Sequence, residues 1–234
     1  MKKVRKGFSE KKDGSMYLPM TNQLPENVAN RKQFFDEQNL SGMQIAVANL
    51  VHGIHVETVT TTSGYILPET DALVATESNI ILALTGADCF PVYFEEKEAG
   101  IIGLAHCGWR GIVGGIIAET IVTIVKQGGK VENIMLTIGP GICDKHFEIK
   151  DDVVSSFSAY PDFISHDSGI RVNLKGIMKK QITEAGVPSE NITDSDECTY
   201  CLPEKYFSYR RDKAKPFEAQ VAYIVQSPHR KFKK

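Results

Sequence analysis

Two stretches decide how this chain is read: "LTGADCFPVYF" at 84–94 and "GLAHCGWRGIVGG" at 103–115. Each joins an apolar run to groups with reactive chemistry. The first carries Asp88 and Cys89, the second His106, Cys107, Trp109 and Arg110. Short apolar runs bounded by turn residues read as buried strands. The exits of such strands are where α/β proteins commonly keep their chemistry.

Working outward, 43–49 (MQIAVAN) and 54–62 (IHVETVTTT) read as strands, the latter with period-two alternation. Residues 80–85, 91–94, 100–105, 134–138 and 219–225 are further short apolar strands. Residues 112–126 place apolar side chains at helical spacing and stop before Gly128-Gly129. Within them the pair Gly114-Gly115 weakens the helix and lets another backbone approach. Residues 174–185 form a second, more amphipathic helix, ended by Gly186 and Pro188. Strands and helices interleave without a steady βαβα rhythm. That favours an α+β or mixed-sheet α/β fold over a doubly wound sheet.

Composition narrows the function classes. At 234 residues and 42% hydrophobic, the chain is long enough for a substantial core, and no repeat or linker divides 1–234 into more than one domain. A formal net charge of −2 offers no broad basic field for nucleic acid or an acidic membrane. The basic ends "MKKVRK" and "HRKFKK" read as solvated tails. No apolar run has transmembrane length and residues 1–15 lack the apolar centre of a signal peptide. Five cysteines without scaffold spacing fit a reduced, cytoplasmic setting.

Of six histidines, His52 sits in a break between strands, with Gly53 allowing a tight path, and His106 ends a strand. Two histidines and Cys89 can supply three N/S ligands to zinc, leaving a position for water whose pKa falls to about 7. The separations 52–89–106 match no compact metal signature. Taken singly, a buried structural cysteine and two hydrogen-bonded histidines fit them better. "HCGWRGIVGG" offers helix-start N–H groups and Arg110 to an anion, or else packs Trp109 and pairs Arg110 with a carboxylate. "YFSYRRD" at 206–212 lines a base-and-ribose pocket or caps a sheet. Cys198 and Cys201 form a CxxC that, with no second pair, is a poor zinc or redox motif.

The series "VHG" (51–53), "TGADCFPV" (85–92), "AHCGWRGIVGGI" (105–116), "IGPGIC…HFEI" (138–149) and "CTY…YFSYRRD" (198–212) resembles the multicopper-oxidase-like laccase domain family. The motifs keep that family's order over roughly residues 30–225. Members have been described as polyphenol oxidases, as a peptidoglycan editing factor, and as purine nucleoside phosphorylases with adenosine deaminase activity. The resemblance implies a single four-layer α-β-β-α domain with mixed sheets. It also implies an active-site zinc on His52, Cys89 and His106, which then act as the catalytic residues. Arg110, Asp88, Tyr209 and Arg210 are expected to hold nucleoside and phosphate, with Phe90, Trp109, Tyr206 and Tyr209 walling the pocket.

The chain departs from the family in three places. An arginine usual near the start is missing from "FSEKKDGSMYLPM", where Lys11 or Lys12 stands in as a point charge. The alanine usual after the second histidine is Cys107, expected to face away from the metal. A Gly-Arg pair usual after "SYRRD" is replaced by "KPFEAQ". The expected function is a zinc-dependent purine nucleoside phosphorylase and adenosine deaminase on adenosine, inosine and methylthioadenosine, as monomer or homodimer. The alternative is a hydrolase editing peptidoglycan precursors with Cys89 as nucleophile. A multicopper oxidase needs more clustered histidines than six scattered ones provide.

Overall fold

A computed structural model describes residues 3–19, 23–167 and 169–227; the basic tail 229–234 lies outside them. The strands in chain order are β1 (Lys3–Phe8), β2 (Gln44–Ala48), β3 (Val56–Val59), β4 (Ile66–Leu67), β5 (Ala72–Ala75), β6 (Ile80–Gly86) and β7 (Phe90–Glu96). They continue with β8 (Ile101–Cys107), β9 (Ile134–Ile138), β10 (Glu148–Ile149), β11 (Ile164–Ser165), β12 (Ile170–Val172), β13 (Ile192–Asp194) and β14 (Gln220–Ser227). The helices are α1 (Pro25–Glu37), α2 (Trp109–Gly114), α3 (Ile116–Lys126), α4 (Asp151–Val154), α5 (Leu174–Glu184) and α6 (Tyr209–Asp212).

Two mixed sheets dominate, one in the order β1-β14-β6-β2-β4 and one in the order β13-β9-β7-β8-β5-β3. The apolar runs follow from where these sheets sit. In β6, Ile80, Leu82 and Leu84 join Ile102 and Leu104 of β8 and Ala222 and Ile224 of β14 in a core between the sheets. The alternate residues Ile81, Ala83, Val221, Tyr223 and Val225 meet Phe34 and Phe35 of α1. On the far side, Ile101, Ala105 and Cys107 of β8 pack with Ile117, Ile121 and Ile124 of α3 and Ile177 and Ile182 of α5. Strands covered on both faces lose the apolar–polar alternation and read as continuous apolar runs. The result is a single mixed α/β domain of four layers: α1, sheet, sheet, then α3 with α5. Among the described residues no helix is long and apolar enough to cross a membrane.

Several expectations need correction. The basic start is no solvated tail: Lys3–Phe8 pairs antiparallel with β14 along its length. Val4 and Phe8 pack against the inter-sheet core, while Lys6 crosses to Glu95 at 2.6 Å. The lysines suit an edge strand, where charge discourages pairing with another chain. The expected strand 54–62 shortens to Val56–Val59. Helix α1 escaped the pattern because its apolar stripe is little more than Phe34 and Phe35, although Pro25 at its first turn is a recognisable start signal.

The expected helix 112–126 is instead two helices, hinged at Gly115 with φ +94°. A left-handed residue ends α2, and α3 starts anew towards the core. No atom lies within 4 Å of where a Gly115 Cβ would stand, so a side chain there meets only backbone strain. Gly115→Ala is therefore expected to lower stability by about 1–2 kcal/mol, the left-handed penalty for an L-residue. Urea denaturation checks this: the midpoint should fall with the slope unchanged.

Candidate functional site

The strand exits converge at one end of the two sheets. β6 leads into the turn carrying Asp88 and Cys89, β8 ends on His106 and Cys107, and the loop before β3 supplies His52. His52 (φ +61°) and Asp88 (φ +85°) both adopt the left-handed conformation that non-glycine residues seldom take. In His52 the cause is visible. The fully buried Asp71 carboxylate accepts from three consecutive N–H groups, Val51 at 3.2 Å, His52 at 2.9 Å and Gly53 at 2.8 Å. The same carboxylate lies 3.0 Å from His106 Nδ1, and the Asp71 carbonyl accepts from the His106 N–H at 2.8 Å. One aspartate thus fixes both histidines.

With Nδ1 of His106 turned to Asp71, Nε2 is left for the site. The rings of His52 and His106 meet edge to face at 4.9 Å. One donor atom from each of His52, Cys89 and His106 lies within 4.8 Å of the others, a group able to hold a metal ion. Gly108 closes the cluster from one side. A Cβ there would stand 3.0 Å from His52 Cδ2 and 3.1 Å from Cys89 Sγ, so any larger residue would press on the donors. Donor chemistry and spacing suit a borderline-soft ion such as zinc, and the carboxylate behind His106 is the usual support for a ligating imidazole.

The charges are mutually reinforcing. Burial pushes the Cys89 thiol up, but the facing His106 and His52 outweigh it and bring it down to about 6. Burial opposes charge on His106 as well, yet Cys89 and Asp71 raise it to about 9. Asp71 stays below the usual carboxylate range despite its burial, held by His106 and the Gly53 N–H. Cys107 behaves oppositely. It points into the core with Ile112 and Ile117, and burial together with the Cys89 charge holds it as a neutral thiol. The described ligand group leaves it out.

Two cavities share His52, Ala87, Cys89 and Phe217. One of about 420 Å³ is lined by Trp109, Arg110, Ile142, Phe147, Leu174, Tyr209 and Arg210; the other, of about 320 Å³, by Tyr17, Leu18, Asn49, Leu50, Thr85 and His106. Arg110 lies over the Trp109 ring at 4.4 Å and makes no ion pair among the described residues. Arg210 is more committed: its Nη1 donates to the carbonyls of His146 at 3.2 Å and Glu148 at 2.7 Å. The Asp88 carboxylate already accepts from Thr199 Oγ1 at 2.7 Å, Ser208 Oγ at 3.1 Å and the Arg210 N–H at 2.7 Å.

Of the four expected wall residues, Trp109 and Tyr209 line the larger cavity. Phe90 faces the core under Gly141, and Tyr206 is buried with its hydroxyl on Glu197. Phe147, Leu174 and Phe217 take their places. Neither Lys11 nor Lys12 reaches either cavity. Lys12 pairs with Glu10 at 2.8 Å, and Lys11 donates to the Pro203 carbonyl at 3.2 Å. Asp71 was missed in the sequence, where "ETD" before an apolar run reads as an ordinary turn. Its one signal was its position, directly ahead of four buried strand residues.

Comparison with known proteins identifies the family. A family model described as multi-copper polyphenol oxidoreductase laccase matches residues 3–225. A purine nucleoside phosphorylase of Deinococcus radiodurans is 33% identical over 80% of this chain and 73% of its own. Adenosine deaminase RL5, from an unknown prokaryotic organism, is 34% identical over 60% of this chain, which thus spans only 56% of that relative. The crystal structure of YlmD from Geobacillus stearothermophilus superposes with a TM-score of 0.88 at 28% identity, covering 96% of this chain and 92% of that one. The chain belongs to the multi-copper polyphenol oxidoreductase laccase family, the one its strand-exit motifs resemble.

Proposed function

We propose that this chain is a zinc-dependent enzyme that cleaves purine nucleosides with phosphate and deaminates adenosine at the same centre. The observation that carries the reading is the His52–Cys89–His106 group at the junction of two cavities, with an arginine free of ion pairs on one wall. The names of relatives, purine nucleoside phosphorylase and adenosine deaminase, support the substrate class. A zinc ion on these three residues supplies Lewis acidity and lowers the pKa of water.

The chain's own residues do the rest. Trp109, Phe147 and Tyr209 offer flat apolar surface to a purine. Arg110, kept rigid on Trp109, presents its fork to phosphate. In phosphorolysis a phosphate oxygen bonds to C1′ while the C1′–N9 bond breaks and its electron pair leaves on the base, which takes a proton. In deamination water adds at C6 and ammonia departs. Asp71 keeps His106 in one tautomer and orientation throughout. Asp88 and Arg210 serve as wall supports, since their polar atoms already hold backbone and neighbouring hydroxyls.

A second reading makes Cys89 the nucleophile of a hydrolase acting on peptidoglycan precursors. Side-chain geometry alone favours it over the first, because Cys89, His106 and Asp71 form the nucleophile, base and orienting group of a cysteine hydrolase. No atom of the site is peculiar to nucleosides. His52 and the relatives' names tip the choice. Copper oxidation is disfavoured, since of the described histidines only His52 and His106 meet here.

Four outcomes are expected. Elemental analysis should show that Cys89→Ala loses one equivalent of zinc with its circular dichroism unchanged. Asp71→Asn, which turns an amide donor towards N–H groups, should weaken zinc binding by about 10–100-fold. Full zinc retention in both variants refutes the metal assignment. Zinc-loaded protein given adenosine and phosphate should form adenine with ribose 1-phosphate, or inosine with ammonia, and a chelator should abolish both. Hydrolysis of a muropeptide precursor with neither product would establish the second reading instead. Arg110→Lys should raise the KM for phosphate about tenfold or more while leaving Tm unchanged, reflecting loss of the bidentate fork. A fall in Tm without a kinetic effect would make Arg110 structural.

A further inference from the structure

The CxxC of Cys198 and Cys201 has no second pair in the sequence, but the fold supplies one. Beyond β9 the chain turns back through Cys143 and His146, and beyond β13, parallel to β9, it runs alongside through Cys198. The two segments are zipped together. Ser195 N–H donates to the Ile138 carbonyl at 2.9 Å and Thr199 N–H to the Gly141 carbonyl at 3.1 Å, with Gly141 and Cys198 bridged in parallel. Donor atoms of Cys143, His146, Cys198 and Cys201 all come within 4.8 Å of one another.

Three of the six donor–donor distances match the edges of a coordination tetrahedron, and the three to Cys198 lie within 4.8 Å. Zinc with sulfur at about 2.3 Å and nitrogen at about 2.0–2.1 Å requires S···S edges near 3.8 Å and S···N edges near 3.5 Å. Cys143 Sγ and Cys201 Sγ are 3.9 Å apart, and His146 Nδ1 lies 3.3 Å from the first and 3.4 Å from the second. A disulfide would need sulfurs at about 2.05 Å. Contacts around the cluster also orient one sulfur and the imidazole. Cys143 N–H donates to Cys198 Sγ at 3.2 Å, and the His146 ring lies flat on Tyr200 at 4.0 Å and 16°. Burial grades from Cys198, 6% exposed, to the exposed Cys201, so the cluster sits at the surface beside the cavity.

We propose that Cys143, His146, Cys198 and Cys201 bind a structural zinc ion, separate from the centre at His52, Cys89 and His106. Four protein donors close its coordination, which leaves no place for substrate. Its work is mechanical. The first clamped segment carries Ile142 and Phe147 of the cavity wall. The second carries Thr199, whose hydroxyl holds Asp88 and whose carbonyl accepts from Arg211 at 2.9 Å. An ion bridging positions 55 residues apart in sequence removes much of the freedom of the chain between them.

The test uses the full chain bearing Cys89→Ala, which empties the first centre, purified under reducing, anaerobic conditions without added metal. One zinc per chain is expected, with X-ray absorption showing three sulfur scatterers and one nitrogen. Adding Cys143→Ser should bring zinc to zero; the absorption measurement stands even if that double variant does not fold. No zinc in the Cys89→Ala chain, zinc without sulfur neighbours, or a Cys143–Cys201 disulfide by mass spectrometry would each overturn the proposal. Should the first centre alone be misassigned, the unmodified chain would hold one zinc, insensitive to Cys89→Ala and lost with Cys143→Ser.

Discussion

The Asp71 carboxylate is the constraint on which the site depends. A buried charge is tolerated only when its hydrogen-bonding capacity is met. Here that requirement is met by three successive N–H groups and one imidazole. Meeting it forces the loop at 51–53 to wrap the carboxylate, which drives His52 into its left-handed conformation. It also turns His106 so that one nitrogen faces Cys89. Packing of β5 against β8 sets where Asp71 stands, with Ala72 opposite Ala105. Sheet register therefore becomes the geometry of the candidate site through a single side chain.

The two Cys/His groups differ in donor number, while each runs from an exposed to a buried residue. Three donors beside a cavity leave room for chemistry, whereas four donors near the surface do not. Between them runs the segment from Cys198 to Asp212, which touches both. Thr199, Ser208 and the Arg210 N–H converge on Asp88, the residue immediately before Cys89. Arg211 ties the same segment to itself through the carbonyls of Thr199, Tyr200 and Tyr206. The cavity wall is thus a loop made stiff by polar contacts, since it lacks a helix or strand of its own length.

How much of this was legible beforehand depended on whether the decisive interaction lay within a short window. Strands 80–85, 100–105, 134–138 and 219–225 were legible because cover on both faces writes itself as an unbroken apolar run. The helix at 174–185 was legible through its period and its glycine stop. The first strand was not, since Val4 and Phe8 are diluted by lysines that suit an edge. His52, Cys89 and His106 were visible as candidates, but only the resemblance joined them, because their meeting is a product of sheet order. Asp71 carried only its position ahead of a buried strand, which does not reveal its role. Cys143 and His146 carried no mark of theirs: half of a ligand set looks like two ordinary residues until the other half arrives from far along the chain.

The place of β14 has a consequence for how the molecule comes into being. It lies between β1 and β6, so in this five-stranded sheet those two strands are joined through residues 220–227. During vectorial synthesis Lys3–Phe8 emerges long before Gln220–Ser227, the strand with which it pairs. Long-range closure of this kind carries a high loop entropy and slows folding. The lysines of β1, which guard an edge in the finished protein, also keep this waiting strand in solution while its partner is still being made.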